Sequence, residues 1–333
     1  MTTTTRSGAA PRGLAKYLPE PLVVGDPDLA GPLAVYPLFG LATTQRFVAL
    51  SQADTKVAIG EVASASVRDL AVTNHGDVPV LLYEGQELIG GQQNRSVDVT
   101  VLVPANAEVS IPVSCVEAGR WDGRSHRARF KASKSSPSPQ LRRSKSDRVR
   151  ASLAANGAGY ADQGEVWGLV DSISARLGTS SRTRALRESY EQRGRELRTL
   201  TDEIRLRDDQ LGALVTIGND FCVLDFVGRP EAFAALHGPL VQGYALDALA
   251  SPRAPKAASS IEDARRTLGA ALGAKGEERP SVGVGTDVRF THTRVAGSAL
   301  LNADELVQLT AFPHQRRDDV PPPRIGRPSR RAR

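Results

Sequence analysis

Cysteine is nearly absent from this chain: Cys115 and Cys222 are the only two in 333 residues. A chain of that length has enough interior for its own hydrophobic core. Each cysteine lies inside an apolar, strand-like run, so the expectation is two reduced core thiols and no disulfide frame. Histidine is also sparse. His75, His126, His237, His292 and His314 are scattered, with no HxH, HExxH or CxxC spacing, so there is no metal signature and no cofactor motif to read. A carboxylate-only metal site would have to use Glu84, Glu87 and Glu117. The segment GVGTDV at 283–288 lacks the Lys-Ser/Thr of a phosphate-binding loop and reads as a turn entering a strand. No window approaches the roughly 18 uninterrupted apolar residues of a membrane helix. The opening MTTTTRSGAAPRG has no apolar core of a signal peptide, which makes the cytoplasm the expected location.

What the chain does have is charge in unusual places. The formal net charge is +6, but residues 120–150 alone carry +9 and residues 316–333 carry +5, leaving about −8 for everything else. The body is therefore acidic and the basicity sits in two segments. Aromatics able to stack on bases are limited to Trp121 and Phe130 in the first of these, so nucleic acid is not the favoured partner.

The pattern along the chain is β-rich, then helical, then mixed, which predicts an α+β protein with an antiparallel β-sandwich or open barrel in its N-terminal half. Residues 1–30, rich in Thr, Ala, Gly and Pro, read as a flexible lead-in, and 31–121 as the β-rich part. Residues 122–162, basic and rich in Ser and Pro, read as a mobile loop with almost nothing to bury. Residues 163–313 are helical and then mixed, forming one domain with 31–121, and 314–333 read as a basic disordered tail. Within the third part, Val166, Trp167, Val170 and Ile173 mark one helix, and Thr183 to Leu206 a second, solvated one with a Glu191–Arg195 pair. Gly218-Asn219-Asp220 marks a hairpin turn, Pro230 a helix start, and Ser260 with Asp263 a helix-opening cap. Two last strands are expected over 286–295 and 301–312, joined across AGSA.

The candidate site follows the apolar run VPVLLY. There EGQELIGGQQNRSV (84–97) places carboxylates, amides and an arginine around Gly90-Gly91. Val97, Val99, Val101 and Val103 alternate with polar neighbours, as do Val109, Ile111, Val113 and Cys115. A hairpin turning at Asn106 would put Val97 opposite Cys115 and Arg95 opposite Glu117. Glu84 prolongs the face of Val78, Val80 and Leu82 at the same end. Convergent polar groups beside an apolar wall and a glycine pair make a ligand mouth. A structural Arg95–Glu117 ion pair closing the sheet end is the competing reading.

The run LLYEGQELIGGQQNRSVDVTVLVPANAEVSIPVSCVEAGRW (81–121) resembles the hallmark segment of the ARG and rhodanese-phosphatase-superfamily-associated protein domain, a bacterial and archaeal family without an established activity. Its pattern falls here on Glu84, Gly85, Gly90, Gln93, Asn94, Arg95, Cys115, Glu117, Arg120 and Trp121. The resemblance extends over about 32–313. It implies a link to ADP-ribose or nucleotide metabolism through ADP-ribosylglycohydrolase and phosphatase-like partners, and it supplies no catalytic assignment.

Three functions are therefore expected in order. The first is a cytoplasmic ligand-binding or sensor domain taking a small ADP-ribose- or nucleotide-type anion on Glu84, Glu87, Gln93, Asn94, Arg95, Glu117, Arg120 and Trp121. The second is a hydrolase or transferase with Glu117 or Glu84 as general base and Arg95 stabilising negative charge. The third is an adaptor docking RNA or an acidic partner on the basic loop.

Overall fold

The computed structural model describes residues 13–53, 55–62, 68–119, 129–251 and 259–314. The described residues are 32% helical and 33% strand and form antiparallel sheets, one of them nearly closed and barrel-like, and six helices, an α+β arrangement. The helices are α1 (Pro139–Asn156), α2 (Gln163–Leu177), α3 (Leu186–Gln192), α4 (Gly194–Thr201), α5 (Pro230–Ala250) and α6 (Ile261–Leu272). Among the described residues no helix is long and apolar enough to cross a membrane.

The largest sheet has nine strands. It runs Val23–Val24, Leu33–Phe39, Gly212–Ile217, Asp220–Val227, Glu305–Pro313, Val295–Asn302, Thr286–Thr291 and Gly276–Pro280, with Asp28–Ala30 beside Leu33–Phe39. A six-stranded sheet carries the hallmark segment in the order Lys131–Ala132, Glu87–Ile89, Arg95–Val97, Ala107–Cys115, Asp69–Asn74, Val57–Glu61. A three-stranded sheet joins Val101–Val103 and Val80–Leu82, with Val48–Ala49 parallel to the latter. Two apolar clusters form the interior: the larger includes Leu81, Val97, Leu141, Val166, Val223, Tyr244 and Val307, and the second joins α6 to the large sheet through Leu268, Leu38, Phe226 and Phe290.

Locally specified elements form where the sequence placed them. Gly218 (φ 63°) turns the hairpin between Gly212–Ile217 and Asp220–Val227. Pro230 opens α5, and the Ser260 hydroxyl accepts the Asp263 amide at the start of α6. Val166, Val170 and Ile173 are the buried stripe of α2. Cys115 and Cys222 are free thiols.

Five expectations are corrected. Within the supposed flexible lead-in, Gly13–Tyr17 forms a short 3-10 helix and Val23–Val24 and Asp28–Ala30 join the large sheet, with Leu14, Val24 and Ala30 buried; residues 1–12 lie outside the described set. The second helix divides at Arg193 into α3 and α4, and Glu191 pairs with Arg187, not Arg195. AGSA is strand interior, the turns falling instead between Thr291 and Val295 and at Ala303-Asp304, both of which have positive φ.

The fourth correction concerns register. Cys115 lies opposite Arg95 and Val113 opposite Val97, a two-residue slip that keeps the faces but separates Arg95 from Glu117. The simple hairpin fails because the chain divides: after Asp98, whose amide still reaches Pro112 O at 3.0 Å, residues 101–103 cross to Val80–Leu82. The fifth is the supposed mobile loop, whose residues 139–156 form α1, an 18-residue helix with Leu141, Arg142, Lys145 and Val149 buried. Residues 120–128 and the tail from 315 lie outside the described set.

Candidate functional site

Residues 80–88 and 91–103 are buried without a break. A polar segment can be taken out of water only if its groups find partners, and three ionic clusters supply them. At the centre Asp225 accepts both forks of Arg142 (2.6 and 2.9 Å), the hydroxyls of Tyr83 (2.7 Å) and Tyr244 (2.6 Å), and Thr310. Burial alone would raise the Asp225 carboxyl, but the Arg142 charge prevails and holds it below the usual range. The Arg142 guanidinium also lies over the rings of Tyr83 and Phe312.

The second cluster is one turn further along α1. Lys145 reaches Asp98 at 3.0 Å and donates to Ser96 Oγ (2.7 Å), Ser96 O (3.1 Å) and Val97 O (3.0 Å). Asp98 in turn accepts from Ser114 and from the Ala161 amide. In the third, Glu84 accepts from Ser298 (2.6 Å) and Arg289 (3.2 Å), and Arg289 also holds Asp287. Gly85 makes room for this packing. It sits at φ +86°, and a Cβ there would fall 2.6 Å from Arg142 Cγ. Gly91 (φ +51°) likewise clears the Phe130 ring, which would stand 2.3 Å from a Cβ.

Arg95 is wholly buried and does not meet Glu117. Its Nη1 donates to Gln93 O (3.0 Å) and lies 3.4 Å from Gln93 Oε1, while Nη2 is 3.8 Å from Glu61. Glu117 instead accepts the Asn94 amide at 3.2 Å. Gln93 also donates to Ala118 O, and Asn94 Oδ1 accepts from the Gly90 amide. Burial pushes the Cys115 thiol up, away from thiolate. Arg120 and Trp121, both expected at the mouth, lie outside the described residues. The structure therefore brings Gln93, Asn94, Arg95 and Glu117 together, but beneath the surface, and assigns Glu84 to a separate ion pair.

Glu87 differs from the other hallmark carboxylates. It is fully buried on the strand Glu87–Ile89, its Oε2 accepts from Ser135 at 3.3 Å, and Oε1 has no hydrogen-bond partner. Burial raises its carboxyl to about 7, against the stabilising hydroxyls of Ser133 and Ser135. Ser133 and Ser135 belong to the segment that continues the edge strand Lys131–Ala132, tied to the sheet by the Ser133 amide on Glu87 O (2.9 Å).

On the outer side of that segment is a cavity of about 490 Å³, lined by Arg129, Lys131, Ser133, Lys134, Ser135, Arg187, Tyr190 and Glu191 among others. Four cations face one carboxylate there, and that carboxylate already pairs with Arg187 at 2.7 Å. Arg129, Lys131 and Lys134 make no ion pair among the described residues. Sequence reasoning missed this cavity because it joins two stretches some fifty residues apart in the chain, 129–135 and 187–191. The charge excess around residue 130 was its one visible signal.

No group of three or more His, Cys, Asp or Glu able to hold a metal occurs among the described residues. A family model described as the ARG and Rhodanese-Phosphatase-superfamily-associated Protein domain matches residues 21–312, and the chain belongs to that family. No curated protein and no solved structure matches it.

Proposed function

We propose that the protein is a cytoplasmic ligand-binding domain for a small phosphate-bearing anion of ADP-ribose or nucleotide type, and that the ligand enters the cavity between residues 129–135 and α3. One observation carries the reading: three cations with no ion-pair partner among the described residues, and a fourth paired only with Glu191, line a cavity of about 490 Å³. That volume is within the roughly 300–1,000 Å³ of small-molecule sites. Unpaired cations converging on a concave surface favour an anionic guest. The family's association with ADP-ribosylglycohydrolase and phosphatase-like proteins supports the same ligand class, and such proteins are the expected partners.

The buried groups Gln93, Asn94, Arg95 and Glu117 then support the site from below, while Glu84 is engaged in its separate pair with Arg289. Arg95, wholly buried, donates to Gln93 O and so holds the turn that follows the strand Glu87–Ile89. An adaptor role for the basic stretch is less favoured, since Arg142 and Lys145 are engaged in buried pairs.

The test is a thermal-shift and calorimetric screen of ADP-ribose, AMP, ADP and inorganic phosphate against wild type and Lys131→Glu/Lys134→Glu. A ligand at about a hundred times its dissociation constant adds roughly 2.7 kcal/mol, and the double variant should abolish that shift with its own fold intact. Equal shifts in both proteins would remove the cavity from consideration.

A further inference from the structure

Every other buried carboxylate among the described residues is met by a cation or a main-chain amide: Glu84 by Arg289, Asp98 by Lys145, Asp225 by Arg142, Glu117 by the Asn94 amide. Glu87 is held by serine hydroxyls alone, and one of them, Ser135, lines the cation-rich cavity. From this arrangement, and resting on the cavity as an anion site, we infer that Ser135 is a nucleophile activated by Glu87 and that the site hydrolyses phosphate esters.

The geometry suits the step. Ser135 Oγ is 3.3 Å from Glu87 Oε2, within the looser reach common when no substrate is bound. The Ser135 amide donates to Ser133 Oγ at 3.2 Å, and the two hydroxyl oxygens are also 3.2 Å apart, which fixes the turn presenting Ser135. Lys131, Lys134 and Arg187 flank the same opening, where they would meet the oxygens of a phosphoryl group as charge develops on them. The groups facing Glu87 are Ser133 and Ser135, Arg187 and Tyr190 from α3, and Glu117. A carboxyl near 7 is populated in both forms at neutral pH, so it can take a proton and return it.

The steps balance without an oxidant or cofactor. Ser135 Oγ–H gives its proton to Glu87 as Oγ bonds to phosphorus and the bond from phosphorus to the leaving oxygen breaks. That oxygen departs as the alcohol with the proton from Glu87. Water then attacks the phosphoserine, giving its proton to Glu87, and the Oγ–phosphorus bond breaks as Ser135 recovers a proton from Glu87.

The experiment treats the full chain with an alkyl fluorophosphonate, which forms an Oγ–phosphorus bond with loss of fluoride at an activated serine, and maps the adduct by mass spectrometry. Wild type is expected to be labelled at Ser135, at a rate that rises with pH through about 7 as Glu87 ionises. Glu87→Gln, which imitates the neutral carboxyl and preserves the fold, is expected to label about 100-fold more slowly and without that pH dependence. Ser135→Ala is expected to lose the label while still being stabilised by inorganic phosphate. Absence of label at Ser135, or equal labelling in Glu87→Gln, overturns the inference. If phosphate still shifts the melting of the unlabelled protein, the anion site stands and the nucleophile falls. If phosphate shifts nothing, the assignment to phosphate esters falls with the anion site, whether or not the serine is labelled.

Discussion

Replacing Glu87 by Gln should stabilise the protein at alkaline pH and leave it nearly unchanged in acid. Burial lifts the Glu87 carboxyl to about 7 in the folded chain, against 4.5 for an ordinary glutamate. The folded state therefore binds the proton more tightly than the unfolded one, and stability falls as pH rises through that window. At about 1.4 kcal/mol per pH unit, the difference amounts to roughly 3 kcal/mol of stability present below pH 4.5 and lost by about pH 8. Other groups also titrate. Burial lifts Asp247 to about 6, so the informative quantity is the difference between wild type and Glu87→Gln, in which such shared contributions cancel. Urea melts of both proteins at half-unit steps from pH 4.5 to 8.5 would give it. The two should converge near pH 4.5 and separate progressively, the variant being more stable by up to about 3 kcal/mol at the top of the range. A difference that is flat with pH, or a variant less stable at pH 8, would mean that Glu87 is ionised in the fold and holds a counter-charge, removing the basis for both its burial cost and its role as a base.

Arg142→Ala strands Asp225, which lies against Tyr83 and Tyr244 and has no other cation at hydrogen-bonding distance among the described residues. The expected cost is about 3–5 kcal/mol by denaturant melts, and Arg142→Met with Asp225→Leu should recover part of it. Gly85→Ala forces a Cβ at φ +86° to within 2.6 Å of Arg142 Cγ, and should cost about 2–4 kcal/mol, read as a fall in melting temperature. Lys145→Met leaves Asp98 with Ser114 and the Ala161 amide but no cation. It should destabilise by about 3 kcal/mol, read from denaturant melts, because the buried carboxylate loses its counter-charge.

The sequence was most readable where structure is local. The Gly218 turn, the Pro230 helix start and the Ser260 cap each follow from two to four neighbouring residues. It misled where partners are distant. Arg142 and Lys145 look like solvated charge in a Ser- and Pro-rich stretch, and nothing near them indicates that Asp225 and Asp98 await them in the core. Yet Leu141, Lys145 and Val149 recur at the three-to-four spacing of a buried helical face, so admitting a cation at a core position would have found α1. The hallmark segment stood out correctly as polar and unusual, and its face assignment survived because the register error was an even number of residues. Its depth was not visible, since Glu84 is buried against Arg289 and Ser298, which arrive some two hundred residues later. The cation-lined cavity was legible only as an excess of charge near residue 130.

The clasp between Glu84 and Arg289 spans 205 residues of chain. A ribosome adding about 5–20 residues per second needs roughly 10–40 s to supply the arginine after the glutamate has been made. Throughout that interval the hallmark strands are complete in sequence but lack the counter-charge that lets them close. The nascent N-terminal half must therefore remain open, with its apolar strands uncovered, until the last strands of the large sheet emerge. Whatever protects the newborn chain has to act on that half.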